Sequence, residues 1–235
     1  MKTALIHWLR RVHDAVAAPV FTELLQERLA DLEALQLLAP LSTGFIPWPK
    51  PAIRPRCLVT VLNDIVINER RCLVELGGGV STIYLARLLR TRGGHLTTIE
   101  EDEKWAKMLQ SMLASENLHD SVTVVTAPVL ARGMGTSSLP WYEENALSEK
   151  LSKEPIDLLL VDGPASRLDV PLIRYGALPF FDKKMSPRCS IILDDARRKD
   201  EQEVIKRWSQ EFNVEFRISG TFAFGTRGSA YKVSI

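Results

Sequence analysis

From residue 72 onward the chain alternates short runs of β-branched and aliphatic residues with stretches of helical apolar spacing, and few architectures accept that rhythm. Strands are expected near residues 72–76, 95–99, 122–126, 157–162, 189–194, 214–218 and 229–234, with helices near 81–91, 102–115, 169–180 and 199–211. Strand and helix in turn specify a doubly wound α/β sheet whose seven strands run mostly parallel. No helical pattern separates the last two strands, in "VEFRISGTFAFGTRGSAYKVSI", so an antiparallel hairpin is expected at one edge. The longest irregular stretch, residues 127–155, is where a substrate loop would lie.

Upstream the pattern differs. Apolar residues at helical spacing (Leu5, Trp8, Leu9, Val12, Val16, then Leu24, Leu25, Leu29, Leu32, Leu35 and Leu38) predict two amphipathic helices that pack on the domain or on a partner. "APLSTGFIPWPKPAIRP", residues 39–55, holds five prolines and cannot continue a helix, whereas "CLVTVLNDIVI" can form one. Residues 1–55 therefore read as a helical extension with a Pro-rich loop, and residues 56–235 as the sheet domain. A homo-oligomer built through the N-terminal helices is one arrangement this allows.

Bulk properties narrow the function classes. A chain of 235 residues that is 46% hydrophobic can bury one substantial core. The net charge of +1 supplies no overall field toward nucleic acid or anionic lipid. Basic stretches are short and lack interleaved aromatics, so a nucleic-acid acceptor is not expected. Cys57, Cys72 and Cys189 are odd in number and far apart, which argues against a disulfide framework or zinc site and for a reduced, cytoplasmic setting. The first residues carry His7, Arg10, Arg11, His13 and Asp14 inside their apolar region, unlike an export signal, and no run of roughly 18 apolar residues predicts a membrane span.

The stretch "CLVELGGGVSTIYLARLL", residues 72–89, sets Gly77, Gly78 and Gly79 between the first strand and its helix. In an open α/β sheet a ligand binds beyond the carboxyl ends of the strands, and glycine there permits positive φ and close approach to the backbone. Ser81 and Thr82 can cap the following helix. A tight turn with no ligand would use the same glycines. Glu100 shifts the balance: it ends the second strand 21 residues after Gly79, where a carboxylate meets the ribose hydroxyls of a bound nucleoside. Glu101, Asp102 and Glu103 read instead as a solvated first helical turn.

These residues resemble motif I of class I S-adenosylmethionine-dependent methyltransferases, an acid followed by G-x-G-x-S/T, here Glu75, Gly77, Gly79 and Ser81. Thr82 stands where the third glycine of a dinucleotide-binding fingerprint would be. "TTIEEDEKWAKML", "IDLLLVDGP" and "IILDDARRKDEQEVIKRW" are similar to later segments of the same family, in order, over residues from about 40 to the C-terminus. The resemblance implies a Rossmann-like sheet and S-adenosyl-L-methionine as cofactor. It implies that Glu75 and the glycines hold the methionine part, that Glu100 holds the ribose, and that Ala127 flanks the adenine. The acceptor it implies is a small molecule, methylated at oxygen, since "VDGP" replaces the Pro-Pro-aromatic segment of amino-methyltransferases. An aminopropyltransferase similar to spermidine synthases, and a non-catalytic scaffold on the same fold, are the alternatives.

Asp162, Asp194 and Asp195 end the fourth and fifth strands and should converge beside the cofactor's methyl group if the sheet has the family's order. Three readings are open. They ligate Mg²⁺, which would orient and acidify a hydroxyl; or Asp162 positions substrate or acts as base while Asp194 or Asp195 pairs with Arg198; or the Asp pair is a cap and an ion-pair partner. Trp141, Tyr142 and Trp48 could line an acceptor pocket or plug the surface.

Overall fold

The computed structural model describes residues 21–130, 139–165, 170–228 and 230–233. The first expected helix, around Leu5 to Val16, lies outside them. The second is present as α1, residues 21–38. Most of its leucine stripe does not pack on the described domain: Leu24, Leu25, Leu29, Leu32 and Leu35 are exposed, while Ala34 and Leu38 join the core. Ion pairs fasten the helix instead, with Asp31 holding Arg54 and Glu27 holding Arg54 and Arg197.

α2 (Pro55–Ile67) opens on a proline at its first turn, where a missing N–H costs nothing. The sheet is then built from β1 (Cys72–Leu76), β2 (His95–Glu100), β3 (Val122–Thr126), β6 (Ile156–Val161), β7 (Met185–Leu193), β8 (Glu215–Ser219) and β9 (Phe222–Arg227). A separate ribbon pairs β4 (Val129–Leu130) with β5 (Trp141–Tyr142). Helices α3 (Val80–Arg92), α4 (Glu103–Ser115), α5 (Glu144–Lys150), α6 (Ala177–Phe181) and α7 (Lys199–Phe212) connect the strands.

The strand order is β3-β2-β1-β6-β7-β9-β8, with β9 antiparallel to both neighbours and the rest of the sheet parallel. The mostly parallel sheet and its antiparallel edge hairpin are thus as expected. Both faces are buried, as parallel sheets require. Leu73, Leu158, Leu160 and Ile192 point into one core with α2, α3 and α4. Their neighbours Val74, Leu76, Leu159, Val161, Ile191 and Leu193 point into the other, with α5, α6 and α7.

Two expectations need correction. The hairpin's second arm is residues 222–227, not 229–234: Gly220, at φ +61°, closes the turn early, and described residues 230–233 are irregular. Gly225 sits in mid-strand because a Cβ there would meet Val214 and Phe216 at 2.7 and 2.8 Å. The helix expected over 169–180 is shorter, Ala177–Phe181, since Leu172 at φ +55° and the turns through Gly176 precede it.

Candidate functional site

β1 pairs with β2 on one side and β6 on the other, so the order reverses at β1 and a crevice opens at the strands' carboxyl ends. A cleft of about 750 Å³ lies there. Its floor is the turn from Gly77 to Ser81; Glu100, Glu101, Asp102 and Trp105 stand on one side, and Asp162, Gly163, Ala165, Arg174, Asp195 and Arg198 on the other. Pro49, Pro51, Ala52 and Ile53 of the Pro-rich loop also line it.

The three glycines differ in what demands them. Gly77 is at φ +85°, and a Cβ there would sit 2.9 Å from the amide nitrogen of Gly163, so two backbones touch across the β1–β6 crevice. A Cβ on Gly78 would meet Leu109 at 2.7 Å and Thr98 at 2.8 Å. Gly79 is extended, at φ −175°, and a Cβ there would meet nothing within 4 Å. The protein's own packing therefore requires glycine at 77 and 78, while at 79 glycine leaves room in the cleft.

Beneath this turn, Glu75 is fully buried and does not reach the cleft. Its Oε2 accepts from Thr82 Oγ1 at 2.6 Å and Thr98 Oγ1 at 2.8 Å, and the Gly79 amide donates to Thr82 Oγ1 at 2.9 Å. Thr82 thereby caps α3, and Glu75 sets the turn from below. Burial raises its carboxyl pKa against the pull of the Ser81, Thr82 and Thr98 hydroxyls.

Glu100 faces the turn from β2. Its Oε2 accepts from Gly78 N at 3.0 Å and its Oε1 from Asp102 N at 2.9 Å. Burial pushes its pKa up to about 7, with Glu101 adding and the backbone donors opposing. Asp102 caps α4 by accepting from Lys104 N and Trp105 N. Trp105 donates from Nε1 to Gly78 O at 2.6 Å, pinning the turn to α4. Glu101 is not a solvated side chain: it accepts from Ala165 N at 2.8 Å and Tyr142 Oη at 3.2 Å, tying the end of β2 to the loop after β6.

On the other side, Asp162 follows β6 and Asp195 follows β7, the latter at φ +59°, a left-handed turn that aspartate tolerates. Asp194 is 5% exposed and stands outside the cleft lining, with Oδ1 unpartnered. Oxygens of Asp162, Asp194 and Asp195 lie within 4.8 Å of one another, a spacing a hard divalent cation accepts. A cation of the chain's own is already there. Arg174, 3% exposed, donates from Nη2 to Asp162 O (2.6 Å) and Asp162 Oδ1 (3.2 Å), from Nη1 to Asp194 O (3.1 Å) and Asp195 Oδ2 (3.2 Å), and from Nε to Pro164 O (3.3 Å). Arg198 Nη1 takes the same Asp195 Oδ2 at 2.9 Å, and Glu201 stands 3.8 Å from Arg174. As they stand, the residues do not fit a metal ion. Burial, and then the neighbouring Asp194 carboxylate, holds the Asp162 pKa well above the ordinary range, with Arg174 opposing; burial and Asp195 raise Asp194 to about 6.

Several candidates fall elsewhere. Ala127 is fully buried, its amide donating to Glu100 O, and does not line the cleft. Trp141 and Tyr142 are core residues, not pocket walls: Trp141 covers Gly176, where a Cβ would sit 2.5 Å from its ring. Trp48 braces the Pro-rich loop by donating to Ile53 O at 3.2 Å. Arg174, Trp105 and Glu101 carry contacts that sequence reading missed. Only Trp105 had a signal, one helical step from an acidic strand end.

Residues 74–196 match a protein family described as a methyltransferase domain. No curated protein sequence matches the chain. Among solved structures, the fold is similar to an O-methyltransferase from Bacillus cereus in complex with SAH (TM-score 0.55, 22% identity, 85% of this chain and 90% of that one). It is also similar to the O-methyltransferase TomG from Streptomyces achromogenes in complex with SAM (0.52, 17% identity, 85% and 90%). A third likeness is to precorrin-6y C5,15-methyltransferase from Geobacter metallireducens (0.55, 11% identity, 80% and 96%).

Proposed function

The chain belongs to the methyltransferase-domain family, and on that premise we propose that it transfers a methyl group from S-adenosylmethionine to a hydroxyl oxygen of a small acceptor. The observation that carries this reading is the open room above Gly79, at the mouth of the crevice, where the chain itself needs no glycine. Glu100 supports it from the facing strand: each oxygen spends one lone pair on a backbone amide and keeps capacity for a ribose hydroxyl. Glu75 holds the turn from below through Thr82.

When bound, S-adenosylmethionine supplies a methyl carbon on a positively charged sulfur. The chain's task is alignment and exclusion of water, effects worth up to roughly 7–11 kcal/mol of a barrier. Pro49, Pro51, Ala52 and Ile53 offer an apolar surface, and Asp162, Asp195 and Arg198 the polar contacts, which suits a compact acceptor with an apolar body and a hydroxyl. Asp162 is the base: burial raises its pKa, which makes the carboxylate a stronger proton acceptor. In the transfer the C–S bond breaks, the C–O bond forms, and the hydroxyl proton passes to Asp162 and then to water.

The test is Asp162→Asn assayed with a panel of small hydroxylated acceptors. Transfer should fall about 10²- to 10⁴-fold while S-adenosylhomocysteine still binds. Undiminished transfer would remove Asp162 as base, and transfer only to amines would replace oxygen as the accepting atom.

A further inference from the structure

We propose that Arg174 is the resident counter-cation of the Asp162–Asp194–Asp195 cluster, so that the acceptor side of the cleft works without a divalent metal. The proposal deepens the methyltransferase reading and rests on it for the transfer step, but its primary test reads metal uptake alone, so the two can fail separately.

A divalent ion at this cluster would need free lone pairs on several carboxylate oxygens and no neighbouring positive charge. The second condition fails, because two guanidinium groups already engage the cluster. Asp195 Oδ2 is shared by two arginines, Arg174 at 3.2 Å and Arg198 at 2.9 Å. Asp162 Oδ1 accepts from Arg174 Nη2 at 3.2 Å, and the same nitrogen holds the Asp162 carbonyl at 2.6 Å. Asp194 Oδ1 is buried without a partner, on a side chain that does not line the cleft. The guanidinium stays charged at any relevant pH, is 3% exposed, and has Glu201 behind it as a further counter-charge. A second cation beside it would meet its repulsion.

The same contacts make Arg174 a positioning residue. One nitrogen holds both the backbone oxygen and the carboxylate of Asp162, which fixes the direction in which that carboxylate faces the acceptor. The other joins the ends of β6 and β7 through Asp194 O and Asp195 Oδ2.

Chelator-treated full-length protein is titrated with MnCl₂ and free Mn²⁺ is followed by electron paramagnetic resonance, alongside Arg174→Gln checked for folding by circular dichroism. The wild type should take up no stoichiometric Mn²⁺, and its affinity for S-adenosylhomocysteine should be the same with EDTA or MgCl₂. Folded Arg174→Gln should gain one Mn²⁺ site and a metal-dependent rise in melting temperature, both lost again on adding Asp195→Asn. One equivalent of Mn²⁺ on the wild type, abolished by Asp195→Asn, would overturn the proposal. So would a folded Arg174→Gln that binds no metal, because Arg174 would then not be what occupies the site. If the variant does not fold, the wild-type titration decides alone.

Discussion

The two sides of the cleft are built in opposite ways. The side formed by the ends of β1 and β2 is centred on main chain: three glycines, a threonine seven residues from Glu75, and a glutamate that receives the Gly78 amide. The side formed by the ends of β6 and β7 is centred on charged side chains, with one buried arginine holding the ends of two strands. The first is shaped to admit a ligand against main chain. The second holds excess acid that only a counter-charge makes tolerable.

This contrast breaks most visibly at Arg174. Replacing it by Met leaves Asp162 without its counter-charge and Asp195 with Arg198 alone, and removing one partner of such a buried pair costs about 3–5 kcal/mol. Thermal denaturation should register roughly 2–4 °C per kcal/mol for a domain of this size. An unchanged melting temperature would mean the acceptor side is not held together by charge.

Next comes Glu100→Ala on the cofactor side, expected to weaken S-adenosylhomocysteine binding by about 1.5–3 kcal/mol, the range for a hydrogen bond to a charged group. Isothermal calorimetry checks it. Equal affinity would strip Glu100 of its role with the ribose.

pH sharpens the same point. Glu100 has its pKa raised to about 7 in the folded protein, so near neutrality it is partly protonated, and hydroxyl donors need the carboxylate. Ligand affinity should therefore rise with pH through about 7 and fall below it, by at most about tenfold per pH unit for one linked proton. Glu100→Gln should flatten the profile. For stability the sign is reversed. A raised carboxyl pKa means the folded state holds its proton longer, so its contribution is full below the unfolded pKa and lost as pH climbs through about 7.

The smallest effect is expected at Trp105→Phe, which deletes the bond to Gly78 O, worth about 0.5–1.5 kcal/mol, and should loosen the turn without unfolding α4. A loss of ligand affinity well beyond that range would mean that the indole touches the ligand itself.

Legibility follows the same division. Gly77, Gly78, Gly79, Thr82 and Glu100 lie within one strand–helix–strand unit, and glycine chemistry with strand-end placement marks them without any structure. What the sequence could not distinguish was which glycine serves packing and which serves the cleft, because the contacts at 77 and 78 come from Gly163, Thr98 and Leu109. Arg174, in "LIRYGALPFF", looks locally like any surface arginine; its partners sit beyond the ends of β6 and β7, and nothing in its own segment marks them. Trp141 and Tyr142 read as loop aromatics because the two-residue ribbon that buries them has no detectable period. The last strand falls at "FAFGTR" rather than "SAYKVS" because the pairing with β7 accepts a mid-strand glycine at 225, where Val214 and Phe216 leave no room for a Cβ.

The central claim is that the space above Gly79 receives the cofactor, and calorimetric titration of S-adenosylhomocysteine into the wild type and Gly79→Ala tests it most directly. The account predicts one-to-one binding by the wild type, binding about tenfold weaker or worse in Gly79→Ala, and equal melting temperatures, since a Cβ there meets no protein atom within 4 Å. Equal affinities in the two proteins, or no heat from either, would contradict it.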